Sequence, residues 1–309
     1  MIAAYLQLAA AMAVVGANIA LGKAIVAVVP VFVFAAARFF IAIVILFPLA
    51  RGIEGRTTAA ISRGQWRDLF WQAFFGVFLF TAFMLHGVRL TSASSAGVIT
   101  STIPAVVAVL SVAMLGEAMS RRRAGAIALA VLGIAAINLG DASSFARHAA
   151  APVPGGGAAA LLGNALVLCA VVSEALFTIF AKKLSGKVPP ITMAAWINAI
   201  GLALSLPLAW WQYSAFDIRR VSLVMALGLV YYALAASVIS LMLWYRGIVR
   251  VPASLAGLFT GVMPISATLS ATLFLGEAFS AAHALGLALV LTAIVIGSRE
   301  KRKSPPLVG

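Results

Sequence analysis

The sequence predicts an all-α membrane protein with ten transmembrane helices, arranged as two inverted five-helix repeats with the N and C termini cytoplasmic. Three observations predict it: pervasive hydrophobicity, ten apolar runs of membrane-crossing length, and a motif pattern that occurs twice. Of 309 residues, 63% are hydrophobic and only 10% are charged, at a mean hydropathy of +1.10. A water-soluble fold must solvate a larger charged surface than this, so lipid is the solvent for most of the chain.

A helix crosses a hydrocarbon core of roughly 30 Å with about 20 apolar residues. Runs of that length fall at approximately 3–22, 30–50, 69–87, 91–115, 122–140, 158–181, 190–211, 221–243, 251–275 and 281–298. The first run lacks the basic leader of a signal peptide and is followed by further membrane segments, so it reads as the first span. The junctions at 86–91 and 277–281 leave room only for tight turns, which makes their flanking helices antiparallel hairpins. The glycine- and proline-rich stretch 149–157 reads as a linker. It divides a first repeat, 1–148, from a second, 158–298, and a basic cytoplasmic tail follows at 299–309.

Basic residues near helix ends stay on the cytoplasmic side, and they fix the orientation. With the amino terminus inside, sixteen Lys and Arg fall in inner segments and five in outer ones, Lys23, Arg89, Arg147, Arg219 and Arg220. Arg38 is left within a helix. The formal net charge of +14 therefore belongs to helix ends and forms no basic face for nucleic acid.

Shifting the sequence by 160 residues gives twelve identities in thirty-four ungapped positions. Gly87 falls on Gly247, Ala96 and Gly97 on Ala256 and Gly257, Thr100 on Thr260, Pro104 on Pro264, and Leu115-Gly116-Glu117-Ala118 on Leu275-Gly276-Glu277-Ala278. A shift of 159 matches Lys23 with Lys182, Val29-Pro30 with Val188-Pro189, and Pro48-Leu49-Ala50 with Pro207-Leu208-Ala209. Five spans per half is an odd number, so the second half starts from the opposite side, and the halves are related by a pseudo-twofold axis in the membrane plane.

The five-plus-five plan, the Leu-Gly-Glu signature closing helices four and nine, the Pro104 and Pro264 pair, and Lys23 and Arg38 in the first hairpin resemble the EamA family of the drug/metabolite transporter superfamily. The resemblance covers nearly the whole chain. It implies a secondary transporter of the bacterial inner membrane, mostly an exporter, for amino acids, other metabolites or toxic compounds. Size, compact helix plan and aromatic content are similar to the YddG-type aromatic amino acid exporters.

Pro104 and Pro264 cannot donate to the carbonyls of Thr100 and Thr260, so both helices should bend there, with the threonine hydroxyl steadying the kink and hinge motion as its use. The small-residue runs 92–97 and 253–257 read as packing seams. Glu117 and Glu277 stand before Ser120 and Ser280, which can cap the following helices, and their repetition points to the fold.

Asymmetric polar residues are the candidates for substrate binding. Glu174 lies well inside a span, roughly 12 Å of helix before Lys182, and could accept a proton or bind an ammonium; the alternative is a structural partner. Arg38, eight residues into helix two, has Ile197 at its equivalent position. It can meet backbone carbonyls, a substrate carboxylate or Glu174, or snorkel to the surface. Asn18 can bond a zwitterion, and His86 reads as interfacial or substrate-facing. Aromatics gather in helix three, where Phe74 and Phe78 share a face, and around helix eight, at Tyr231 and Tyr232. Trp66, Trp71, Trp210, Trp211, Trp244 and Tyr245 suit an interfacial belt.

Among the functions excluded is ATP hydrolysis, since the sequence has no Walker cradle, and it also carries no paired metal ligands and no nucleophile with base and orienting acid. No enzyme, cofactor or metal is expected. The single cysteine, Cys169, rules out an intrachain disulfide and reads as a small packed residue. The expected partners are a small-molecule substrate and membrane lipid, with a monomer as the unit. Export of aromatic or large neutral amino acids by alternating access is the leading expectation, multidrug or cationic compound efflux the alternative. An integral-membrane lipid-modifying enzyme is the rival of a different class, though such enzymes display several His, Asp or Glu at one face and this chain has three His and eight acids in all.

Overall fold

A computed structural model of the chain describes residues 1–55, 61–146, 156–214, 216–275 and 279–299. Residues 149–155 of the expected linker, Glu277 and the tail after Arg299 lie outside the described residues.

Ten helices are long and apolar enough to cross a membrane: α1 (Ile2–Val26), α2 (Val31–Ile53), α3 (Arg63–Leu90), α4 (Ser95–Leu115), α5 (Arg121–Leu139), α6 (Ala158–Leu184), α7 (Pro190–Tyr213), α8 (Leu223–Ile248), α9 (Ala253–Leu273) and α10 (Ala281–Ser298). Each coincides with one of the expected runs. Helix α3 starts well before its apolar run because a polar turn is held by a capping box, in which Ser62 and Gln65 each accept from the other's backbone amide. Ser120 and Ser280 also cap as expected. Ser120 Oγ accepts from the Arg123 amide at 3.1 Å and Ser280 Oγ from the His283 amide at 3.4 Å, satisfying amides that a helix start leaves without partners.

Several spans are not plain α-helix. Helix α1 is interrupted at Asn18, α4 between Thr100 and Ile103, and α9 between Phe259 and Val262. Helices α3 and α8 each contain a π-helical stretch, Phe74–Leu79 and Ala233–Ile239. The 160-residue shift superimposes these stretches, although their sequences FFGVFL and ALAASVI share little. Pro48 in α2 and Pro207 in α7 leave their helices unbroken.

The packing pairs α5 with α10, α2 with α7 and α4 with α9. It also pairs α3 with α6 and α1 with α8, α4 with α6 and α1 with α9, and α2 with α8 and α3 with α7. Replacing every helix by the one five places along leaves this set unchanged. At the α5–α10 seam a Cβ on Gly286 would lie 2.5 Å from the Gly133 carbonyl oxygen, and one on Gly133 would lie 2.9 Å from the Gly286 carbonyl oxygen. Only glycine allows main chains to approach so closely.

One end of the bundle is laced by side chains. Tyr5 OH donates to the Ser298 carbonyl at 3.3 Å, Lys182 Nζ to the Ile248 carbonyl at 2.9 Å, and Lys183 Nζ meets Asp68 Oδ1 at 3.0 Å. Arg123 Nη1 donates to Ser254 Oγ at 3.3 Å. Glu54, just past α2, accepts from the amides at the start of α7, and Glu117, just past α4, from those at the start of α9. The odd-numbered helices therefore start, and the even-numbered ones finish, at this end.

Candidate functional site

Arg38 lies within α2, turned toward the π stretch of α8. Its Nη1 donates to Ser237 Oγ at 3.4 Å. The guanidinium carbon sits 4.4 Å from the Phe39 ring centroid and 6.0 Å from that of Tyr232, so ring faces shield the cation. No carboxylate lies within 4.0 Å of it among the described residues. Tyr232 is fixed edge-on to Phe34, at 5.0 Å between centroids, and against Gly22, where a Cβ would come within 3.0 Å of the ring. Asn198 of α7 joins the cluster. Its Nδ2 donates to the Ala194 carbonyl at 2.8 Å and the Ser237 carbonyl at 3.2 Å, while its Oδ1 is buried without a partner among the described residues. A π stretch skews the regular carbonyl ladder, which makes a main-chain acceptor such as that of Ser237 available to a neighbour.

Glu174 is half-buried on α6, close enough to Tyr245 of α8 to interact electrostatically. No protein group hydrogen-bonds its carboxylate among the described residues. Tyr245 is fully buried, and its OH accepts from Gln72 Nε2 at 2.9 Å, while Gln72 Oε1 is buried and has no partner among the described residues. Phe177, one helical turn beyond Glu174, lies 6.4 Å from the Tyr245 ring and packs so tightly on Gly76 that a Cβ there would overlap its ring. The two polar clusters thus border the two π stretches, and α7 touches both, through Asn198 and Ser237 on one side and Gly201 and Val77 on the other.

The remaining candidates fall into three groups. Phe74 and Phe78 stack at 6.0 Å, and Phe78 reaches Phe32 of α2 at 6.4 Å. Asn18 is buried at the α1 interruption, donating to the Val14 carbonyl at 2.8 Å. Gly16, two residues before it, abuts the Met263 carbonyl beside the α9 interruption, so two broken helices meet there. Thr100 and Thr260 donate to the Gly97 and Gly257 carbonyls at 3.0 and 2.7 Å. Their hydroxyls serve the preceding turn, and the carbonyls freed by Pro104 and Pro264 fall at the interruptions. His86 is exposed and bonds the Ala82 carbonyl of its own helix at 2.8 Å, and Tyr231 is 56% exposed, so neither joins the Arg38 or Glu174 cluster.

Three expectations need correction. Trp244 and Tyr245, read as interfacial, are buried because α1 packs over the end of α8 through Ala4, Leu8 and Gly247. Cys169, read as packed, is exposed on α6. Arg38 and Glu174 form no ion pair with each other. Sequence reasoning missed Ser237, Asn198 and Gln72. Asn198 carried a usable signal, a polar amide in the middle of an apolar run; Ser237 and Gln72 carried none. No group of three metal-capable side chains occurs among the described residues.

A family model for EamA-like transporters matches residues 2–139 and again 161–299. The chain belongs to the EamA-like transporter family. This EamA-like transporter is 37% identical over 300 residues to the uncharacterized transporter YetK of Bacillus subtilis, a match covering 97% of the chain and 88% of the relative. It is 28% identical over 244 residues to an uncharacterized transporter of Archaeoglobus fulgidus, covering 77% and 81%. A crystal structure of another protein superposes with a TM-score of 0.76 over 96% of each chain at 17% identity, a likeness of fold alone. With ten spanning helices and these relatives, the EamA-like transporter is a multi-pass inner-membrane protein.

Proposed function

We propose that this transporter exports amino acids, aromatic or large neutral ones in particular, by alternating access. The observation that carries the reading is Arg38, a guanidinium inside a span whose neighbours are a hydroxyl and two aromatic rings. A cation at that depth needs a counter-charge, and a substrate carboxylate matches its fork of donors. The half-buried Tyr232 ring flanks that cation and can meet a large side chain, with Asn18, Phe74 and Phe78 as the further wall of the proposed pocket. Glu174, which pairs with no base among the described residues, supplies the charge that an ammonium requires. His86 and Tyr231 take no part in this pocket.

Two oppositely oriented units support the cycle. The five-place exchange of helix pairs and the twofold family match both favour a duplication, and such units can exchange outward-open and inward-open shapes. The interruptions in α4 and α9 are the proposed flexing points. Cysteines placed at 121–123 and 281–283 should label from opposite sides, the first from the cytoplasm; labelling from one side would end the inverted arrangement.

Counterflow of labelled phenylalanine, leucine and a lipophilic cation in proteoliposomes tests the substrate. Amino acid exchange that Arg38→Gln abolishes supports the reading. Cation exchange that needs Glu174 and ignores Arg38 would replace it with cation efflux, and recovery of a chemically altered solute would indicate an enzyme.

A further inference from the structure

At the end of the bundle where α1 starts, a cleft of about 540 Å³ opens between α1, the α6–α7 turn and the end of α8. That is within the roughly 300–1,000 Å³ of small-ligand sites. Lys187, Arg246 and Arg250 line it together with Gln7, and no carboxylate does among the described residues. All three bases are exposed, and none is held by a hydrogen bond or ion pair among the described residues.

The surroundings keep the cleft positive. Carbonyls at a helix C-terminus repel anions, yet those of Ile248 and Val249 accept from Lys182 Nζ at 2.9 and 3.2 Å. Arg246 and Arg250 are thereby spared from capping their own helix. Glu54, the acid beside Pro190, has both oxygens on the Ile191 and Thr192 amides, each at 2.8 Å. The wall is stiff: Gly186 at φ +77° makes the turn between Ser185 and Val188, and Pro189 and Pro190 fix the chain that follows.

We propose that this cleft binds a phosphate group, presented by an anionic glycerophospholipid at the membrane surface or by a free phosphate. Three convergent cations with uncommitted donors suit its charge and its oxygens. None of its lining residues belongs to the substrate pocket proposed around Arg38 and Glu174, and its test does not depend on what is transported.

The purified full chain is titrated with inorganic phosphate and, in separate arms, with vesicles of phosphatidylcholine alone or with added phosphatidylglycerol, reading bound phosphate or lipid and the unfolding temperature. Each neutralised base, in Lys187→Gln, Arg246→Gln or Arg250→Gln, should weaken binding about fivefold, and the triple variant about a hundredfold. Arg121→Gln with Arg122→Gln, which removes two charges at the same end outside the cleft, should leave it unchanged. Loss confined to the phosphatidylglycerol arm assigns the site to lipid, and loss in the inorganic phosphate arm assigns it to a free phosphate. Equal binding by the native and triple variant proteins, or equal loss in the Arg121 and Arg122 variant, overturns the proposal. No hydrogen bond or ion pair holds the three bases among the described residues, so the triple variant should elute and unfold as a folded protein; Arg246→Lys, which keeps the charge, should retain binding.

Discussion

Glu117 and Ser254 stand 137 residues apart, and one carboxylate oxygen, Glu117 Oε2, accepts from both the Ser254 amide at 3.1 Å and its hydroxyl at 2.6 Å. Glu54 holds Thr192 in the same way, with amide and hydroxyl each 2.8 Å from Glu54 Oε2. In each case an acid just past one helix caps the start of the helix it packs against in the other half. A carboxylate suits that position because the amides of a helix start are unpartnered and carry partial positive charge. Glu117→Gln puts an amide where two donors converge, so it should cost about 2–3 kcal/mol. Thermal unfolding of Glu117→Gln, Ser254→Ala and the double variant measures it, and additive losses would mean that the two do not act together.

Arg38→Gln should reduce counterflow of the proposed amino acid substrate at least tenfold with folding intact, and Arg38→Lys should restore part of it because lysine keeps the charge but loses the fork. Normal exchange in Arg38→Gln proteoliposomes removes the carboxylate role.

Glu174→Gln preserves shape while removing the charge. Exchange of zwitterionic substrates should fall, whereas an uncharged analogue lacking the ammonium should lose less. Unchanged exchange at normal protein levels and across pH would take Glu174 out of the mechanism.

Tyr245→Phe deletes the acceptor of the buried Gln72 amide, whose Oε1 already lacks a partner. The variant should be about 1–3 kcal/mol less stable, the cost of stranding a buried donor. Gln72→Leu combined with Tyr245→Phe should recover much of that loss, which unfolding in detergent can check.

Gly76→Ala places a methyl against the Phe177 ring inside the π stretch of α3. Overpacking of this kind typically costs about 1–3 kcal/mol. Phe177→Leu should relieve it, and a neutral Gly76→Ala would mean that the contact can yield.

Span positions were legible because twenty apolar residues in a row have few other homes. The interruptions of α4 and α9 were legible too, since Pro104 and Pro264 remove a donor at a known place. The π stretches were not: phenylalanines around Gly76 and alanines around Ser237 carry no local instruction for an extra residue per turn. The carboxylate clamps were half visible. The repeat marked Glu117 as architectural, but its partner in the other half is fixed by tertiary packing alone. Arg38 and Glu174 stood out because charge is rare in such runs; their aromatic and amide neighbours did not, since lipid, core and pocket accept the same residues.

Gly133 and Gly286 press the main chains of α5 and α10 together with no side chain between them. Rotating either helix, or sliding it by a single residue, would drive a bulkier neighbour into the other's backbone. In the proposed cycle the seam is therefore a spine, around which a rearrangement that opens one mouth and shuts the other would have to swing.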